Sequence, residues 1–140
     1  MNKSVKDAIL NAVDQEPFVQ TLGMELTALE KGFSAVEMVY DPSRMDNLFG
    51  RAHGGAIFAL IDEAFETVGQ TDGTMAVAMN VNVSYVASPE AGTRLRAEAR
   101  EVNQTKRTEN YDIRLTDGEG RLIATCQALT YRTGKPLPFL

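Results

Sequence analysis

In the second half of the chain, larger apolar residues fall at every second position. Met75, Val77, Met79, Val81, Val83 and Tyr85 keep this spacing without a break, the period of a strand whose side chains alternate between two faces. Leu95, Ala97 and Ala99 alternate with Arg94, Arg96, Glu98 and Arg100, and Tyr111, Ile113 and Leu115 alternate with Asp112, Arg114 and Thr116. Ser88 to Gly92 predicts a connection, and Asp117-Gly-Glu-Gly120 predicts a hairpin turn with glycine at two positions. Leu122, Ala124, Cys126 and Ala128 complete a fourth strand.

The first half follows other periods. Val5, Ala8, Ile9, Ala12 and Val13 have the spacing of one face of a short amphipathic helix. Phe33 to Tyr40 carries a weaker alternation, and Lys31-Gly32 before it predicts a turn from an earlier strand around Leu22 to Leu29. Asp41 to Ala52, with Pro42, Ser43, Asp46, Asn47 and Gly50, reads as a loop. From Gly54 to Gln70 the apolar residues Ala56 to Ile61, Ala64, Phe65 and Val68 cover nearly every side of a helix. A helix of that kind is buried, so its polar members Asp62, Glu63, Glu66 and Thr67 need a reason.

The expected layout is a short helix, one or two strands, one long buried helix, then four antiparallel strands. So apolar a helix has to be wrapped by the sheet. This describes an α+β hotdog fold, an antiparallel sheet wrapped around one long central helix, as a single domain over residues 1–140. A sheet edge or face stays open, so oligomerisation is expected.

Composition narrows the function. The chain has 140 residues, 24% charged and 44% hydrophobic, with a net charge of −5. An acidic surface does not attract nucleic acid or an anionic membrane. No apolar run approaches the roughly 20 residues needed to cross a bilayer. The N-terminal residues lack a secretory pattern, so a cytoplasmic location is expected. One cysteine, Cys126, and one histidine, His53, exclude an intrachain disulfide and a thiolate metal cluster. Metal catalysis is not expected.

The candidate chemistry gathers around the start of the long helix. Backbone N–H groups at a helix N-terminus lack intrahelical partners and carry the positive end of the dipole. Gly54 and Gly55 would let a ligand approach them closely, or would simply form a turn. Such donors suit a carbonyl oxygen that becomes negative during acyl transfer. Asp62 lies eight residues on, roughly 12 Å along the axis at about 1.5 Å per residue. Phe58 and Phe65 flank it, and desolvation with Glu66 one turn away would raise its pKa, as a base or nucleophile requires. If both groups act on one carbon they come from two subunits across a two-fold axis. His53 is a base or, more simply, holds its loop; Asn47 positions a reactant or closes a turn. Arg51, Lys106 and Arg107 could hold an anion, whereas Arg94, Arg96 and Arg100 share the polar face of one strand. Cys126 falls in an apolar register and reads as core.

The run Asn47-x-x-Gly50-x-x-His53-Gly54-Gly55-x₆-Asp62 resembles the signature of PaaI-like hotdog thioesterases, the group that includes the phenylacetate-pathway enzymes. The resemblance continues through Phe58 to Phe65, Val83 to Gly92 and Lys106-x₄-Tyr111-Asp-Ile113, and covers about Leu22 to Tyr131. It implies hydrolysis of an acyl-CoA, aryl or medium-chain, without a cofactor beyond the coenzyme A of the substrate. The Gly54 N–H would bind the thioester oxygen and Asp62 of a neighbouring subunit would attack or activate water. Asn47 would position the reactants and His53 would support the loop. It implies a homodimer or dimer of dimers. Gly55, Phe58, Phe65, Lys106 and Arg107 complete the expected substrate contacts, with the N-terminal segment beside the acyl group. Three positions depart from the pattern: Ser88 where proline is usual, Thr105 where glycine is common, and Ala78 where some members carry a water-holding hydroxyl. A non-catalytic acyl-CoA-binding or regulatory module on the same fold is the alternative; a hydratase would need a His–acid pair at another spacing.

Overall fold

The computed structural model describes all residues, Met1–Leu140. Helix α1, Lys3–Asp14, starts at Asn2, whose side chain accepts the Ser4 N–H at 3.1 Å, and it buries Val5, Ile9 and Val13. That stripe is the i, i+4 pattern of the sequence. A second helix, α2 (Pro17–Leu22), stands where the first strand was expected to begin. Pro17 pre-sets the first helical φ, and Gly23 at φ 65° ends the helix, a conformation that L side chains rarely adopt. Strand β1 therefore begins at Glu25 and ends at Glu30, and β2 spans Phe33–Val39. The expected loop after β2 contains one more turn of helix, α3 (Pro42–Met45), capped by the Asp41 carboxylate.

The long helix is α4, Gly54–Gly69. Four strands follow: β3 Thr74–Tyr85, β4 Arg94–Gln104, β5 Thr108–Thr116 and β6 Leu122–Pro136. All pairings are antiparallel and the sheet order is β1-β2-β4-β5-β6-β3. One face of this sheet packs on α4. Leu60, Ile61 and Ala64 of the helix meet Val36, Leu95, Ala97, Ile113, Leu115 and Ile123 in one continuous core. Burying each large aliphatic side chain contributes about 1.5–3 kcal/mol, which outweighs the modest propensity of any single strand. Thr67, one of the helix's polar exceptions, meets Ser34 of β2 at 2.7 Å and also bonds the Glu63 carbonyl. On the opposite face Glu37 and Glu98 pair with Arg94, Arg96 and Arg100. These arginines thus neutralise one another's neighbours across the sheet.

The cleanest alternation in the sequence belongs to the least covered strand. Strand β3 lies at the sheet edge, and its register shifts between Ala78 and Asn80. Met75, Val81 and Val83 pack partly on the core, while Val77, Met79 and Tyr85 remain exposed. No helix is long and apolar enough to cross a membrane.

Candidate active site

The loop between α3 and α4 delivers the helix start. Asn47 Oδ1 accepts the N–H groups of Phe49 (2.8 Å) and Arg51 (3.1 Å), so this side chain closes the turn. Gly50 inside the turn takes φ 68°, and the chain returns through a bridge between Asp46 and Ala52. The next residue, His53, donates its N–H to the Met45 carbonyl at 2.7 Å and caps α4. Its Nδ1 accepts the Gly55 N–H at 2.8 Å. The imidazole thereby satisfies one of the orphan donors of the helix.

The Gly54 N–H is left without an acceptor in the chain, while the Gly54 carbonyl accepts the Tyr85 hydroxyl at 3.1 Å. A Cβ at Gly54 would meet the Tyr85 ring at 3.3 Å, so close packing favours glycine here. Nothing in the local sequence links Tyr85 to Gly54. The contact arises because β3 ends beside the start of α4.

Asp62 is half-buried on the same helix, and burial holds its carboxyl above the usual value. It borders a cavity of about 230 Å³ lined also by Phe65, Glu66, Gln70, Ala76, Val77, Ala78 and Thr130. Phe65 is mainly a core residue, its ring edge-on to Tyr111 at 5.4 Å between centroids. Phe58 is partly exposed and borders neither this cavity nor its neighbour. Ala78 does face Asp62's cavity without a hydroxyl, but Thr130, its cross-strand partner, lines the same space. That pairing crosses 52 residues of sequence and could not be read from either segment alone.

A larger cavity of about 440 Å³ shares Glu66, Gln70, Ala76 and Val77 with the first. Ile9 and Val13 of α1, Met75 of β3, and Leu137 and Phe139 of the tail form its apolar wall. Lys106 and Arg107 lie apart from both cavities, exposed on the β4–β5 hairpin that Thr105 closes through its hydroxyl. Neither forms an ion pair, whereas Arg51 bonds the Ser88 hydroxyl at 3.1 Å. Cys126 is buried, which pushes its thiol up to about 11, and this keeps it protonated and inert.

Within one chain the structure brings Asn47, His53, Gly54 and Gly55 together and leaves Asp62 two helical turns away. Comparison with known proteins gives this arrangement a family. A family model described as "Thioesterase superfamily" matches residues 49–124. Acyl-coenzyme A thioesterase PaaI of Escherichia coli is 28% identical over 86% of each chain. Its solved structure superposes with a TM-score of 0.89 over 94% of this chain and 95% of that one, at 26% identity. The proofreading thioesterase EntH of Klebsiella pneumoniae is 30% identical over 86% of this chain and 88% of its own. A structure of smu.793 from Streptococcus mutans, bound to acetyl CoA, matches at 27% identity and a TM-score of 0.76, covering 81% and 91%. The chain belongs to the thioesterase superfamily, in its PaaI-like group of hotdog folds, and is a thioester hydrolase.

Proposed function

We propose that the chain hydrolyses acyl-CoA thioesters, aryl or medium-chain, in a site shared between two copies. The observation that carries this reading is the geometry of α4. One unpaired N–H at Gly54 and one half-buried carboxylate at Asp62 lie on the same helix, eight residues and roughly 12 Å apart. A single thioester carbon cannot reach both, so a second copy supplies the Asp62 that faces a given Gly54. The unpaired edge of β3 supports this: Met79 is 58% exposed there, next to exposed Val77, and an open apolar edge is a place for another chain to dock. Leu48 and Phe49 are also exposed, at the tip of the Asn47 turn.

In the reaction the Gly54 N–H polarises the thioester carbonyl with the helix dipole behind it. As general base, Asp62 takes a proton from water while the oxygen attacks the carbonyl carbon. The tetrahedral intermediate then expels the thiolate, which takes up a proton, leaving a carboxylic acid and free coenzyme A. As nucleophile, Asp62 would attack directly and water would cleave the resulting anhydride. A raised carboxyl pKa favours proton transfer at neutral pH. The acyl tail enters the 440 Å³ cavity past Val77 and Ala76, and unpaired Lys106 and Arg107 suit the phosphates of the coenzyme. The acetyl-CoA-bound relative supports coenzyme A as the leaving group.

Free-thiol release from a panel of aryl and alkyl acyl-CoAs tests the substrate class. Asp62→Asn should abolish most turnover in a folded oligomer, and near-normal rates would overturn the assignment. Gly54→Pro deletes the N–H at a backbone position that accepts proline, first in the helix and after His53 at ψ 134°, while its Cβ makes the exposed Tyr85 ring shift by a few tenths of an ångström. Co-folded Asp62→Asn and Gly54→Pro chains should regain activity that neither has alone. No recovery would count against a shared site. A single turnover in ¹⁸O-water that labels Asp62 would assign the nucleophilic route.

A further inference from the structure

Three carboxylates converge on the wall of the larger cavity. Glu16 sits in the turn between α1 and α2, Glu63 and Glu66 on α4, and one oxygen from each lies within 4.8 Å of the others. Elsewhere several partly or fully buried acids have cations. Glu37 has Arg94 and Arg96, Asp72 has Lys31 and Arg132, and Glu109, only 2% exposed, has Arg132. No ion pair in the structure includes Glu16, Glu63 or Glu66. The cavity lining contains no lysine, arginine or histidine.

Glu63 makes the imbalance acute. It is 3% exposed and its Oε1 has no hydrogen-bond partner. Buried carboxylates are normally paired or bound to a metal. Burial pushes its carboxyl up to about 8, and the charged groups acting on it, Glu16, Glu66 and Asp62, are all acidic and add to the shift. A shared proton relieves one carboxylate but leaves the other two facing each other.

We propose that Glu16, Glu63 and Glu66 bind one divalent, oxygen-preferring cation of the Ca²⁺, Mg²⁺ or Mn²⁺ kind. Ca²⁺ holds oxygens at about 2.3–2.6 Å, so opposite ligands are about 4.6–5.2 Å apart. Three oxygens mutually within 4.8 Å therefore fit one coordination shell. All-oxygen donors select hard cations over zinc or copper. Glu66 is exposed and Glu16 partly so, which leaves room for water at the remaining positions. The ion clips the α1–α2 turn to the central helix and sets one wall of the cavity. The ion would thus border the cavity assigned above to the acyl tail, and its test reads binding and melting rather than turnover.

The test uses the full chain, freed of metal by EDTA and dialysis, titrated with CaCl₂, MgCl₂ or MnCl₂ by calorimetry and followed by thermal melting. At least one ion should bind saturably, one per chain, and raise Tm as its concentration grows. Glu63→Gln and Glu16→Gln should each weaken binding at least about tenfold, a loss of about 1.4 kcal/mol. Glu16→Gln, in a turn, carries the test if the buried variant fails to fold. Absence of saturable heat and of any melting shift with all three ions overturns the proposal, as does undiminished binding in the variants. Saturable binding of n-butylammonium chloride, with no divalent binding, also overturns it and assigns the cluster to an organic ammonium group.

Discussion

Replacing His53 separates holding the helix start from doing chemistry. In His53→Ala the backbone bonds of residue 53 persist: its N–H still donates to Met45, and its carbonyl still accepts from Ala56 and Ile57. What disappears is the 2.8 Å bond from the Gly55 N–H to Nδ1. Loss of an N-cap acceptor costs about 1 kcal/mol, within a range of roughly 0.5–2. Because His53 is exposed, water can reach the freed N–H, so the loss should fall near the middle of that range. For a chain of 140 residues this lowers Tm by roughly 4 °C. The loosened helix start misplaces the Gly54 N–H, and activity should fall by about tenfold, less than the roughly hundredfold that a 1 Å displacement can cause. His53→Asn restores a cap acceptor but no imidazole, so stability should return to within about 0.5 kcal/mol of the parent, with most of kcat/KM. Urea unfolding and thiol-release kinetics on the three proteins decide it. If the Asn and Ala variants fold yet both lose more than about a thousandfold in kcat/KM, the imidazole is a base and the capping account fails.

Four further outcomes follow from the same geometry. Because burial raises the Asp62 carboxyl above its usual 3.8, kcat/KM should rise with pH along a limb above that value; a limb at or below it would refute Asp62 as the desolvated base. In EDTA, the raised Glu63 carboxyl makes stability fullest below its usual 4.5 and lost as pH climbs toward about 8. Melting from about pH 5 to about pH 8.5 should therefore fall more steeply in the parent than in Glu63→Gln, and parallel curves would contradict this. Arg132→Met strands the Glu109 carboxylate in the core and should cost about 3–5 kcal/mol in urea unfolding, with a loss under about 1 showing that the pair is dispensable. Met79→Arg on the exposed edge of β3 should shift the proposed oligomer toward monomer in light scattering and lower turnover with it; an unchanged active oligomer would move the interface elsewhere.

Much of the fold was legible because burial imposes its period on the chain. Val5, Ile9 and Val13 mark one face of α1, and the all-round apolar stretch of α4 requires a sheet to wrap it. The hairpin at Asp117–Gly120 was equally plain, since its carboxylate and glycine close the turn locally. Short helices were harder. Helix α2 and α3 have six and four residues, too few for a period to emerge, and only Pro17 and Pro42 hinted at their starts.

At the site, the local chemistry from Asn47 to Gly55 could be read in sequence because each contact spans a few residues. Asn47 closing its turn and His53 capping its helix are bonds over two to four positions. The separation of Gly54 and Asp62 was also determined in sequence, since the rise of a helix is set by its backbone. Tertiary structure alone decided what has no local signature: Tyr85 against Gly54, Thr130 opposite Ala78, and Glu16 beside Glu63. It also decided that the most regular strand, β3, is an edge. Alternation records that a strand has two faces, but what covers each face depends on where the sheet order places it.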